Sequence, residues 1–114
     1  MTEKLSEGES VVASERIARL KALQEKLCGE KHVFKMGQPV RWKKGLKNRR
    51  RPTYNEPAIV VKVLSEAVFD SKDEGASTPY FQEPLDILLG LLDEDDDLIV
   101  FHFDSRRFEP FPNR

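Results

Sequence analysis

The stretch "LDILLGLLDEDDDLIVFHF", Leu85 to Phe103, decides the fold class. As a helix it would start at Pro84, since proline is well tolerated in a first helical turn. As strands it reads differently. Leu85, Ile87, Leu89 and Leu91 alternate, and five polar residues, Asp93 to Asp97, lead directly into a second apolar run, Leu98 to Phe103. Two apolar runs joined by a short polar connection are the pattern of a hairpin. The pattern predicts a hairpin over Leu85 to Phe103.

Working outward, "AIVVKVL" (Ala58 to Leu64) is β-branched and almost continuously apolar, as expected of a central strand. Val40 and Trp42 alternate with Arg41 and Lys43, the period-2 pattern of a half-buried strand. Residues 65–84 are rich in Ser, Asp, Gly and Pro and read as a long loop. Beyond the hairpin, Asp104 and Ser105 make a turn, and "RRFEPF" supplies a last short strand that Pro110 marks as an edge or an end. On the N-terminal side, Ser10 as N-cap and Gly29 as stop bracket a helix. Ala13, Ile17, Leu20, Leu23 and Leu27 form its apolar stripe, interrupted by Arg16 and Gln24. The expected organisation is a disordered N-terminus over residues 1–10, an amphipathic helix over 11–29 and a β domain over 33–112.

One helix followed by five short strands makes the class α+β, mainly β. A small, strongly bent barrel satisfies such strands best, because a flat sheet of this size leaves edges and one face bare. "GQPVRWKKG" followed by "PAIVVKVL", Gly37 to Leu64, resembles the opening of KOW-type and other SH3-like small barrels. The loop is longer here, and Pro57 stands where the KOW pattern has a glycine. The resemblance implies a five-stranded SH3-like barrel and a binding module. It also implies that the first and last strands pair, which would bring Arg106 and Arg107 near the loop after Trp42.

Composition bounds the rest. The 114 residues are 39% hydrophobic and 34% charged, enough for one domain with an ordinary core and a heavily ionised surface. Cys28 is the sole cysteine, so no intramolecular disulfide forms, and a reducing, cytoplasmic compartment is the expectation. No apolar run reaches the length of a membrane span or of a signal peptide.

The net charge of −1 conceals a strong asymmetry. Residues 37–64 carry eight basic and one acidic side chains, and residues 65–114 carry four basic and thirteen acidic ones. Seven of the eleven residues from Arg41 to Arg51 are Lys or Arg: Arg41, Lys43, Lys44, Lys47, Arg49, Arg50 and Arg51. Such a cluster can neutralise phosphates, and guanidinium groups also fork onto carboxylates. Tyr54 at the loop's exit could stack on bases, whereas Trp42, alternating with charges, belongs in the core. Three uses of the loop stay open: a polyanion site, a docking surface for an acidic protein, and a loop paired with the chain's own acidic half.

Other constellations carry less. The run Asp93 to Asp97 lacks the internal glycine and distal glutamate of a calcium loop and reads as a solvated turn. His102 with Asp104 lacks a nucleophile elbow or an oxyanion hole. Tyr80 and Phe81, between prolines, either line a peptide groove or anchor the loop. No cofactor, metal or catalytic group is expected. The expected function is noncatalytic binding of nucleic acid through Arg41, Lys43, Lys44, Lys47, Arg49, Arg50, Arg51 and Tyr54, extended by Arg106 and Arg107. The alternative is a protein-interaction module, with a homodimer through the N-terminal helix as a further possibility.

Overall fold

The computed structural model describes residues 7–29, 32–69 and 83–112. They fall into two compact units, Met1–Lys31 and His32–Arg114, each described on its own. The first holds a single helix, α1 (Glu7–Gly29). It begins earlier than Ser10, which therefore lies within the helix and does not cap it. Its end beside Gly29 is as expected, with Lys26 placed favourably in the last turn. The apolar stripe is diluted. Ile17 and Leu20 are more than half exposed, and so is Val11, which at about 100° per residue lies on the side opposite Leu20.

The second unit is a five-stranded antiparallel sheet: β1 (Pro39–Trp42), β2 (Ala58–Val68), β3 (Leu85–Leu92), β4 (Leu98–Phe103) and β5 (Phe108–Pro110). The strand order is β4-β3-β2-β1-β5, so the first and last strands do pair, with Trp42 opposite Phe108. The opening stretch forms the hairpin β3–β4, in register from Ile87–Phe103 to Leu92–Leu98, with the acidic residues in its turn. No helix of the described residues is long and apolar enough to cross a membrane.

Alternation places one set of side chains in the core. Val40, Trp42, Ala58, Val60, Ile87, Leu89, Leu91, Phe103 and Phe108 are all buried, with Phe34 beside them. Three aromatic rings fill its centre. Trp42 stacks on Phe108 at 4.2 Å, and Phe103 meets both edge-on, at 5.8 Å from Trp42 and 5.3 Å from Phe108. These offset-stacked and edge-to-face arrangements suit the ring quadrupoles and add to the area the rings bury.

Two expectations about the strands change. β2 runs four residues beyond Leu64, with register irregularities after Val60 and after Val63, and its second half is partly or fully exposed. A bulge lets a long strand bend out of one ladder without breaking it. The expected closed barrel is also corrected, because the sheet is open. β4 and β5 are its two edges, and no ladder joins them. Asp104 and a three-residue 3-10 turn, Ser105–Arg107, carry the chain from one edge to the other. β5 is too short to reach β4 with a ladder, and it ends at Pro110, which has no N–H to donate. Side chains bridge the gap where backbone does not.

Candidate functional site

The cationic stretch connects β1 to β2, and it is held at five points, three through its backbone and two through its side chains. Trp42 Nε1 donates to the carbonyl of Pro52 at 2.6 Å. The backbone N–H of Gly45 donates to Tyr54 Oη at 3.1 Å. Arg107 Nη1 reaches across from the 3-10 turn to the carbonyl of Leu46 at 3.0 Å. Asn48 Nδ2 donates to Glu83 at 2.7 Å, and Arg51 Nη2 to the carbonyl of Leu92 at 2.7 Å. Leu46 and Pro52 are buried and fasten the loop from beneath. Gly45 has a φ of +90°, a conformation costly for a residue with a Cβ, and it turns the chain sharply at the loop's start. The loop is thus a fixed scaffold.

The ten residues expected to make contacts separate into two groups. Five are turned inward or tied to carboxylates of this chain. Arg41 Nε pairs with Glu109 at 2.8 Å across the β1–β5 ladder, its guanidinium 5.9 Å from the Phe111 ring. Lys43 is fully buried, and its backbone N–H donates to the carbonyl of Arg107. Arg51 pairs with Glu56 at 2.9 Å. Arg106 donates to both oxygens of Asp104, which is itself almost completely buried. Arg107 Nε pairs with Glu83. The pairing of the basic stretch with the acidic half, one of the three readings of the sequence, is realised in the ion pair of Arg41 with Glu109, while Glu83 meets the loop through the neutral Asn48.

The other group faces outward. Lys44, Arg49 and Arg50 are exposed and Lys47 is half-exposed. Tyr54 is 46% exposed, with the Lys47 ammonium 5.9 Å from its ring centroid. Arg49 lies 5.8 Å over the ring of Phe103. Four cations and one aromatic ring therefore ride on a rigid turn, and this patch is smaller than the sequence alone indicated. Two of these cations sit within cation–π distance of a ring, which limits their sweep without neutralising them.

The ion pairs shift the carboxylates they engage. Hydrogen bonding from Arg51 holds the Glu56 carboxyl below its ordinary range, against its partial burial, and the Thr53 N–H adds to the effect. Burial pushes Asp104 upward, but hydrogen bonds from the Arg106 side chain and backbone outweigh it, and the carboxyl ends below its usual value. Neither group is poised for proton transfer near neutrality. His102 is exposed on β4, and the Asp104 carboxylate two residues on is occupied by Arg106.

Two further features lie apart from the loop. Asp93, Asp95 and Asp97 bring one oxygen each within 4.8 Å of one another. Asp93 Oδ1 already accepts the N–H groups of Asp95 and Asp97, so it serves the hairpin turn. A recess of about 480 Å³ beside the β1–β5 edge is lined, among the described residues, by Gln38, Pro39, Pro110, Phe111 and Pro112, none of them titratable. Tyr80 and Phe81 lie outside the described residues. Comparison with protein-family models, with curated proteins and with solved structures finds no match for this chain.

The internal partners were hard to see in the sequence. Glu109 lies 68 residues from Arg41 and becomes its neighbour through the β1–β5 register. Glu56, five residues from Arg51, and Asp104, two residues from Arg106, were the partners close enough to be found by local spacing.

Proposed function

We propose that this protein is a noncatalytic binding module that contacts nucleic acid through Lys44, Lys47, Arg49 and Arg50, with Tyr54 as a stacking surface. The observation that carries the reading is the division of the loop. Its backbone and inward residues are tied down by named bonds, while four cations are presented outward on that fixed frame. A preorganised set of cations loses little conformational freedom on binding a phosphate backbone. Such contacts position a polyanion without reading its sequence, so little sequence preference is expected. The sheet is open, so what the Gly37 to Leu64 resemblance lends to this reading is limited to the pairing of β1 with β5.

The test is fluorescence anisotropy of a labelled oligonucleotide titrated with the full chain at low salt. Neutralising about four phosphates gives a log–log salt slope of about −3 to −4 on duplex DNA. Absence of binding to DNA and RNA at low salt would remove the reading. If a defined acidic protein is instead captured, and charge reversal at Arg49 and Arg50 abolishes that capture, the same surface is a protein-docking site.

A further inference from the structure

We infer that the ligand of the cationic loop is a single strand of nucleic acid, one unpaired base of which stacks on Tyr54 while its phosphate meets Lys47. The inference rests on the nucleic-acid reading above and narrows it to one class of strand. Tyr54 is fastened at both ends. Its hydroxyl accepts the Gly45 N–H at 3.1 Å, across the mouth of the loop. Its backbone lies in a tight turn, in which the Glu56 N–H donates to the Thr53 carbonyl at 3.1 Å. The Glu56 carboxylate accepts in return from the Thr53 N–H at 2.8 Å and the Thr53 hydroxyl at 3.2 Å. Asn55 carries the turn with a φ of +68°, a conformation that asparagine adopts more readily than most residues. A ring held in this way has little torsional freedom left to lose on binding. It is nonetheless 46% exposed and no part of the hydrophobic core.

Charge lies beside the ring where a nucleotide needs it. Lys47 Nζ is 5.9 Å from the Tyr54 ring centroid, and each base of a single strand carries its phosphate one sugar away. A base stacked on the ring therefore brings a phosphate to the ammonium. The stack accepts any base, because every base has a π face. A duplex cannot use the ring in this way. Its base faces are covered by their neighbours in the stack, and the grooves display the edges alone. Reaching Tyr54 would require extruding a nucleotide, at the cost of unpairing and unstacking it. Nor does the loop project into a groove. Lys43, Leu46 and Pro52 are buried along it, and the bonds from Trp42 to Pro52 and from Arg107 to Leu46 hold it against the domain. A major groove about 8.5 Å deep admits a projecting helix or a two-stranded ribbon. A duplex thus engages the outward cations by its phosphates, whereas a single strand engages the cations and the ring.

Phosphate contacts alone favour the duplex, whose charge density is higher, so a preference for single strands can arise only from the bases. Fluorescence anisotropy with the full chain compares four labelled probes of equal length: a DNA strand, an RNA strand of the same sequence, the DNA duplex and an abasic DNA strand. The DNA strand should bind at least about fivefold more tightly than the duplex and than the abasic strand. The RNA strand should exceed the duplex by as much, and the tighter of the two single strands identifies the preferred sugar. Tyr54→Ala should weaken single-strand binding by about the same factor and leave the log–log salt slope unchanged, since no charge is removed. Tyr54→Phe loses the bond to Gly45 but keeps the ring, and should retain most of the affinity. An equal loss in both variants would mean that Tyr54 serves only to fasten the loop, and would overturn the inference. A duplex bound as tightly as the single strands would overturn it too, while leaving the nucleic-acid reading in place. Binding to none of the four probes at low salt would remove both.

Discussion

Trp42 and Pro52 are joined by a 2.6 Å hydrogen bond from the indole Nε1 to the proline carbonyl, which ties the end of β1 to the far side of the cationic loop. The same indole stacks on Phe108, so one side chain serves both the core and the loop. Replacing Trp42 with Phe keeps an aromatic in the stack but leaves the Pro52 carbonyl without that donor. The expected loss is about 2–3 kcal/mol, combining the missing bond with the lost volume. Urea unfolding followed by far-UV circular dichroism measures it, since Trp42 is the sole tryptophan. Oligonucleotide affinity should fall as well, through a loosened loop.

Gly90 tests how tightly the outer face of the sheet is packed. A Cβ there would lie 2.8 Å from Leu98 Cδ1 and 3.2 Å from Val61 Cγ2. The Leu98 side chain is a flexible end, 67% exposed, and can swing aside. Val61 is β-branched and gives less readily. The clash is therefore relieved mostly by Leu98, and the reduced freedom of the unfolded chain offsets part of the remainder. Gly90→Ala should stay within about 1 kcal/mol of the parent, and Gly90→Val, with two more methyl groups to place, should cost more. Thermal and urea unfolding of the two variants decide between this and a rigidly packed face.

Stability should fall in acid, with an identifiable source. The Asp104 carboxyl is held below its ordinary range in the fold because its Arg106 bonds outweigh burial, and Glu56 is held low by Arg51. A depressed folded value contributes stability that is complete above the unfolded value, about 4 for these groups, and is lost as pH falls through the folded one. The parent should therefore lose stability progressively below about pH 5. Asp104→Asn should cost about 1–3 kcal/mol at pH 7 and show a shallower acid slope. Glu56→Gln, at a more solvated pair, should produce a smaller change in the same direction. Urea midpoints at pH 7 and at pH 3 provide the comparison.

The two groups of cations should respond differently to mutation. Arg49→Ala with Arg50→Ala removes outward charges, so the salt slope on duplex DNA should shrink by about 1.8 with little change in unfolding midpoint. Arg107→Ala removes the tie to Glu83 and the donor to Leu46, with its charge directed inward. That variant should lose roughly 1–2 kcal/mol of stability while the salt slope stays nearly constant. Equal slopes for both variants would mean that the division into inward and outward cations does not govern binding.

Most of the strands were legible because alternation is a local property. β3 and β4 begin and end where the apolar runs of the hairpin do, since period-2 burial leaves its mark within a few residues. The core position of Trp42 followed from the same alternation. Boundaries that depend on neighbours were less visible. β2 extends through "SEAV", which has the composition of a loop, because the β3 partner carries it onward to the pair Val68–Leu85. β5 contracts because Ser105–Arg107 wind into a 3-10 turn capped by Asp104. The amphipathic stripe of α1 overstated the helix's sidedness, since Val11 and Val12 are exposed apart from it.

The amino-acid order alone was sufficient for the class, the hairpin and the core position of Trp42, because each rests on periodicities short in sequence, whereas the meeting of Trp42 with Phe103 and Phe108 needs the strands in place. It also identified the loop as the place of highest charge. Which of those charges face outward was beyond its reach. Arg41 meets Glu109 across 68 residues and Arg107 meets Leu46 across 61, and such meetings exist once the strands are in register. The same holds for the open edge. Closure depends on whether β4 and β5 come within bonding distance, and a three-residue strand ending in proline, reached through a 3-10 turn, does not bring them there. Periodicity assigns side chains to faces, while long-range pairing determines which faces and edges stay free.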